Sequence, residues 1–211
     1  MSNLTVKRMV LGPVRTNCYF VYNETTKEGI MFDPASNSDR IREFIEEEQI
    51  KLKGIFLTHG HYDHIGGATK YQEMYSVPLY CHEAEDDVAR SVELNLSYTD
   101  YETVVAKPDV LLKDGQIIEM CDFDIKVIHT PGHTKGSCCY LIKSENDSVL
   151  ISGDTLFAGS YGRVDFPTGS MSQIVRSITE KLLCLDDELL VLPGHECETT
   201  IKDEKPLWRL S

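Results

Sequence analysis

Seven side chains that bind metals well are spread over residues 59–195, and they sit in short motifs that only a gathering fold can exploit. The first motif is Thr58-His59-Gly60-His61-Tyr62-Asp63-His64-Ile65-Gly66-Gly67. Pro131-Gly132-His133-Thr134 and Pro193-Gly194-His195-Glu196 follow, with Ser152-Gly153-Asp154-Thr155 between them. His59, His61, Asp63, His64, His133, Asp154 and His195 exceed what one tetrahedral zinc can use. They match two ions that share a carboxylate. A lone histidine, or one His-x-His pair, is ordinarily a satisfied surface or core residue. That account fits poorly with four potential ligands inside six residues followed by two Pro-Gly-His elements.

Local patterning places these motifs after strands. Strand-like runs cover 4–11, 17–22 and 29–33, rich in Val, Tyr, Phe and Ile. Ser38 ahead of Ile41, Phe44 and Ile45 gives helical spacing with an N-cap candidate. Gly54–Thr58 forms a short apolar strand running into the first motif, and a helix is expected after Gly66-Gly67, carrying Tyr71 and Met74 or Tyr75 inward. Another strand falls at 78–81, and the acidic run from Glu83 opens a helix. Four short strands are expected at 116–120, 124–129, 137–143 and 148–152, with a hairpin turn at 144–147. Ile174, Ile178 and Leu182 mark an amphipathic helix, and 189–192 a last strand. His59 and His61 share one face of an extended segment, while Asp63 and His64 lie where the backbone turns helical and can address a second ion. Sheets packed together under outer helices are the expected α/β architecture.

No repeat, low-complexity stretch or Pro/Ser-rich linker interrupts the chain, so residues 1–211 read as one domain. A net charge of −13 argues against nucleic acid as a partner and mildly repels anionic substrates unless local cations reverse the field. The seven cysteines are odd in number and lack a C-x-x-C pair, which reads as reduced thiols of a cytoplasmic protein. Neither a signal peptide nor a membrane span is expected. His82 and His129 fall outside the motifs and read as structural. Asp33, in Phe32-Asp33-Pro34, reads first as a turn cap and second as a hydrogen-bond partner of a ligand histidine.

The THGHYDHIGG, PGHTKGS, SGDTLF and LPGHE elements resemble the metallo-β-lactamase superfamily, and within it the glyoxalase II (hydroxyacylglutathione hydrolase) branch. The resemblance runs from about residue 10 to 200 and implies an αββα sandwich of two mixed sheets with outer helices. It implies one metal on His59, His61 and His133, another on Asp63, His64 and His195, and Asp154 bridging both. The expected ions are two divalent metals, zinc first, with iron or manganese as alternatives. Aspartate at 154, where β-lactamases proper have cysteine, is similar to the glyoxalase branch. The chain ends sixteen residues after His195, which resembles the shorter single-domain bacterial members. Arg163 matches a basic position that contacts substrate in the family, although its Tyr161–Asp165 surroundings differ from the eukaryotic type.

Such a site implies hydrolysis of a small-molecule thioester, an S-2-hydroxyacyl thiol such as S-lactoylglutathione, by a metal-bridging hydroxide, with Asp63 as ligand and proton holder. Tyr19, Tyr62 and Lys135 are further cleft candidates, for which surface packing is an equal account. The alternative is a mononuclear iron persulfide dioxygenase of the same superfamily. A nuclease and a non-enzymatic metal-binding module fit the charge and the ligand set less well.

Overall fold

The computed structural model describes residues 3–99 and 103–208. Two six-stranded mixed sheets face one another. The first holds β1 (Leu4–Leu11), β2 (Thr16–Asn23), β3 (Glu28–Phe32), β4 (Lys51–Phe56), β5 (Leu79–His82) and β6 (Val110–Leu112) in sequence order. The second runs β12 (Thr199–Thr200), β11 (Leu190–Pro193), β10 (Ser148–Gly153), β9 (Cys138–Lys143), β8 (Phe123–His129) and β7 (Ile117–Met120). Outside the first sheet lie α1 (Asp39–Glu47) and α3 (Ala68–Tyr75), separated in sequence by the single turn α2 (Tyr62–Ile65). The helix α4 (Asp86–Arg90) follows β5. Against the second sheet packs α5 (Met171–Arg176), which continues as a π-helical turn over Ser177–Leu182, and α6 (Ile201–Glu204) follows β12. This is the αββα sandwich expected from the sequence.

The strand sequences explain the layering. A strand sends alternate side chains to opposite faces, so one buried on both faces must be apolar throughout. All eight residues of β2 are buried: its CYFVY centre is apolar, and the flanking Thr16, Asn17 and Asn23 are satisfied by side-chain hydrogen bonds. Tyr19 and Val21 enter the layer between the sheets, whereas Cys18, Phe20 and Tyr22 pack toward α1 and α3. β9 divides likewise: Cys138, Tyr140 and Ile142 face the first sheet, and Cys139 and Leu141 face α5. Phe32, Phe56 and Tyr140 meet between the sheets with ring centroids 5.4–5.5 Å apart. Such tilted aromatic contacts add roughly 0.5–1.5 kcal/mol beyond the area buried.

Helix α1 buries Ile41, Phe44 and Ile45 as its spacing predicts. Ser38 occupies its N-cap position, but the hydroxyl makes no capping bond. The Ser38 N–H instead donates to the Tyr71 hydroxyl at 2.8 Å, docking α3 against the start of α1. Tyr71 is buried in α3, while Met74 points to solvent and Tyr75 is partly buried. The expected hairpin closes through Ser144 N–H to the Asp147 carbonyl at 2.8 Å. β6 and β12 were not expected. They are three and two residues long and lie at sheet edges, too short to show a period of two. Among the described residues no helix is long and apolar enough to cross a membrane, and all seven cysteines are free thiols.

The sheets are also joined by polar bonds beneath the first histidine motif. The Cys138 N–H donates to the Thr58 carbonyl at 2.9 Å, and the buried Tyr140 hydroxyl donates to the Leu57 carbonyl at 2.7 Å. Tyr140→Phe removes the second bond without changing ring packing. We expect a loss of about 1–2 kcal/mol, because the Leu57 carbonyl keeps only the weak Cys138 thiol donor at 3.8 Å, and a melting temperature lower by roughly 2–8 °C. Thermal denaturation followed by circular dichroism checks this, and an unchanged midpoint would show that the bond adds nothing.

Candidate metal centre

Each ligand motif leaves a strand at one end of the sandwich. β4 leads to His59, His61, Asp63 and His64, β8 to His133, β10 to Asp154 and β11 to His195. The structure brings all seven together. His59, His61 and His133 form one group whose ligand atoms lie within 4.8 Å of one another, and Asp63, His64 and His195 form another. His61 Nδ1 and His133 Nε2 are 2.9 Å apart. In the other group, His195 Nε2 lies 3.3 Å from Asp63 Oδ2 and 3.4 Å from His64 Nε2. Asp154 stands between them: Oδ1 is 3.4 Å from His64 Nε2, and Oδ2 is 3.5 Å from His133 Nε2 and 3.6 Å from His195 Nε2. Gly194 makes this approach possible, because a Cβ there would sit 2.3 Å from Asp154 Oδ1 and 2.7 Å from a His64 ring carbon.

Hydrogen bonds to the far sides of the rings fix which nitrogen faces inward. Asp33 accepts from Thr58 N–H (2.8 Å), from the Thr58 hydroxyl (2.6 Å) and from His64 Nδ1 (2.9 Å). With its proton given to Asp33, the Thr58 oxygen accepts from His59 Nδ1 at 3.1 Å. One buried carboxylate therefore sets two tautomers and turns both Nε2 atoms toward the centre. Of the two roles weighed for Asp33, the hydrogen bond to a ligand histidine is the one found. Although Asp33, His59 and His64 also lie close enough to hold an ion, both Asp33 oxygens are already occupied as acceptors. His133 Nδ1 donates to the Arg163 carbonyl at 2.7 Å. His59 Nε2, His61 Nε2 and Asp154 Oδ1 are buried without any hydrogen-bond partner. Buried polar atoms are nearly always satisfied, so these orphans fit a site built around cations.

The electrostatics agree. Burial and neighbouring histidines push the pKa values of His59 and His61 well down, and burial lowers that of His133, which leaves them neutral with free lone pairs. Burial opposes charge on His64, yet Asp63, Asp154 and Asp33 outweigh it and raise its pKa to about 10. His195 is raised similarly by its bond to Asp63 and by Asp154 against the opposing effect of burial. Without metal, protons on these two histidines balance the carboxylates. A divalent ion must displace them, so uptake releases protons and weakens in acid.

The profile of the metallo-beta-lactamase superfamily matches residues 11–195. The chain belongs to that superfamily. It is 37% identical to an uncharacterized protein of Aquifex aeolicus (96% of this chain, 94% of the other). It is 35% identical to the probable metallo-hydrolase YqgX of Bacillus subtilis (94% and 93%) and 31% identical to the hydroxyacylglutathione hydrolase GloC of Haemophilus influenzae (90% and 89%). Among solved structures it is similar to BLEG-1 B3 metallo-beta-lactamase (TM-score 0.89, 36% identity, 96% of this chain and 97% of the other). It also resembles TTHA1623 in a di-iron-bound form (0.81, 27%, 97% and 100%) and ETHE1 from Myxococcus xanthus (0.78, 27%, 97% and 83%). Superfamily membership and the His/Asp clusters together mark a divalent-metal centre.

The remaining candidates take different places. Arg163 and Tyr62 line a cavity of about 410 Å³ that opens onto His61, Asp63, His133, Asp154 and His195. The Arg163 guanidinium is forked onto Asp165 at 2.8 and 2.7 Å and lies 4.0 Å from the Phe166 ring centre. Tyr19 does not reach the cleft: it is buried, and its hydroxyl donates to the Pro193 carbonyl at 2.9 Å, holding the His195 loop. Lys135 pairs with Asp87. His82 and His129 stack on each other at 4.0 Å and belong to neither ligand group.

Glu85 escaped the sequence reading. It is fully buried, its Oε1 accepts from Gly60 N–H at 2.7 Å, and its Oε2 accepts from the Thr134 hydroxyl at 2.8 Å. It thus ties the His59–His61 loop to the His133 loop. It lay inside an acidic run, where a solvated face is the ordinary account. Only its spacing to buried Val88 and Ala89, three and four residues on, marks it as inward-facing.

Two outcomes are expected. Asp33→Asn presents an amide N–H₂ where His64 or Thr58 must donate, and metal affinity should fall roughly 10–100-fold, read by competition with a chelator. Unchanged affinity would remove Asp33 from the ligand-orienting role. Burial pushes the Glu85 carboxyl up to about 7, despite its hydrogen bonds. Its folded pKa exceeds the ordinary value near 4.5, so its contribution to stability is complete below that value and is lost as pH rises through about 7. Glu85→Gln should flatten this decline in urea titrations from pH 4.5 to 8, and parallel wild-type and variant profiles would refute the assignment.

Proposed function

We propose that the chain is a metal-dependent thioester hydrolase acting on an S-2-hydroxyacyl thiol, such as S-lactoylglutathione. The observation that carries the proposal is the pair of ligand groups with the Asp154 carboxylate between them. In this assignment His59, His61 and His133 hold one ion, Asp63, His64 and His195 hold the other, and Asp154 bridges. Two ions there supply Lewis acidity, which lowers the pKa of water and polarises a carbonyl oxygen. An all-nitrogen-and-oxygen ligand set selects weakly among zinc, iron and manganese, so metal identity follows supply, with zinc the first expectation.

The protein's own groups do the rest. Burial alone would raise the Asp63 carboxyl, but His64 and the bond from His195 hold it well below the usual carboxylate range. Its Oδ2 faces those histidines and accepts from the Thr16 hydroxyl at 3.1 Å. Oδ1 is assigned to hold the proton of the attacking water. Val14, Leu96, Phe157 and Phe166 give the cleft apolar walls that exclude bulk water from the acyl group. Arg163 stands on the same rim as a substrate contact. A thiolate leaving group, with a thiol pKa of roughly 8–9, needs little help from an acid, and no dedicated proton donor is assigned to it.

The likeness to GloC supports this substrate class. The likeness to ETHE1 favours the second reading, a mononuclear iron persulfide dioxygenase. One iron has no use for Asp63, His64 and His195 as a complete second ligand set, and that set supports the hydrolase. Given S-D-lactoylglutathione, the metal-loaded protein should release thiol without consuming oxygen, and Asp154→Ala or His61→Ala should abolish most hydrolysis and most bound metal. An oxygen electrode and a thiol-reactive dye on one preparation separate the readings. Rapid oxygen uptake with glutathione persulfide and no thioester cleavage would replace the hydrolase by the dioxygenase.

A further inference from the structure

The cleft above the ligand groups continues into a second cavity of about 670 Å³, with which it shares Val14, Phe157 and His195. The two halves differ in character. The half over the ligands has apolar walls, whereas the continuation is lined by Arg8 and Arg15 against one carboxylate, Glu196. Arg8 projects from β1, and its Nη1 donates to the Glu196 carbonyl at 3.1 Å, which holds the guanidinium against the His195 loop. Arg15 sits in the turn between β1 and β2 with φ of 63°, a left-handed conformation uncommon for a non-glycine residue.

These two arginines, together with Arg40, which donates to the Val10 carbonyl and does not line the groove, differ from the other described arginines. Arg42, Arg90, Arg163 and Arg176 are each held by a carboxylate. Among the described residues neither Arg8 nor Arg15 has a carboxylate within salt-bridge distance, in a chain with 34 acidic and 21 basic side chains. A protein of net charge −13 repels an anion at long range, so an anionic substrate needs local cations to settle. Free guanidinium forks match carboxylate and phosphate oxygens in geometry.

We propose that this groove seats the thiol-carrier arm of the substrate, and that Arg8 and Arg15 bind an anionic group, carboxylate or phosphate, on that arm. The proposal rests on the thioester-hydrolase reading for the orientation of the substrate. The acyl group lies in the apolar half, the carbonyl lies over the ligand groups, and the arm leaves past His195. It places the charge-reading residues on the N-terminal hairpin, away from Arg163, whose guanidinium is already paired.

The test uses the metal-loaded full chain with Arg8→Gln, Arg15→Gln, the double variant and Arg15→Lys. The substrates are lactoyl thioesters of glutathione (carboxylates), coenzyme A (phosphates) and N-acetylcysteamine (neutral). The double variant should raise KM about tenfold or more for the better anionic thioester, with kcat within about twofold and the neutral thioester unaffected. Arg15→Lys should recover part of the loss, and the preferred anionic arm distinguishes carboxylate from phosphate. Calorimetry with S-methylglutathione and S-methyl-coenzyme A, which cannot be hydrolysed, reads the groove independently of turnover. If no thioester is cleaved but one S-methyl ligand binds and the double variant loses it, the hydrolase reading falls and the groove stands. Equal KM changes for neutral and anionic substrates, wild-type binding of neither S-methyl ligand, or charge discrimination lost on Arg163→Gln but kept in the double variant, would each overturn the proposal.

Discussion

A crowd of buried lone pairs governs this molecule. Five imidazoles and two carboxylates converge at one end of a sandwich, and three of their buried nitrogen and oxygen atoms lack any hydrogen-bond partner. Removing such groups from water costs several kcal/mol each when nothing compensates them. The fold accepts that cost because cations return it, and much of the surrounding structure keeps the arrangement in place. Asp33 and Thr58 turn two rings, the Arg163 carbonyl turns a third, and Gly194 lets the chain pass close enough for Asp154 to stand between the groups. Seen this way, Thr58 and Gly194 are as much part of the centre as its histidines.

The layers of the protein were legible in the sequence because burial on both faces of a strand writes a plain signal. The CYFVY centre of β2 and the CCYLI run of β9 are apolar without interruption, and helix spacing at Ile41, Phe44 and Ile45 announces α1. The ligand motifs were legible because their residue types are improbable otherwise. What escaped belongs to pairing across long separations. β6 exists as an edge partner of β5, and nothing local distinguishes Val110–Leu112 from loop. Glu85 acquires its meaning from Gly60, 25 residues upstream, and Thr134, 49 residues downstream. Arg8 meets the His195 loop across 188 residues. Asp33 was weighed correctly in kind but ranked wrongly, since a turn cap is a local property and its true partners are Thr58 and His64.

Electrostatics sharpen the functional picture. An acidic chain with a cationic groove beside a metal centre sorts ligands by where their charge lies. In the proposed reading a negative group far from the scissile bond would find Arg8 and Arg15, while the acyl end would meet aromatic and aliphatic walls. That division suits a substrate with distinct halves, one reacting and one carrying.

The ligand set is drawn from both sheets. His59, His61, Asp63 and His64 follow β4 of the first, whereas His133, Asp154 and His195 follow β8, β10 and β11 of the second. Each proposed ion therefore takes ligands from both halves of the sandwich, so the metals act as rivets as well as reagents. Prising the sheets apart dismantles the coordination, and stripping the ions removes a clamp between segments far apart in sequence. Ligand-linked stabilisation grows with the logarithm of free metal over its dissociation constant. The resistance of the sandwich to opening should then track the metal supply of its surroundings, making the catalytic inventory a gauge of the protein's own lifetime.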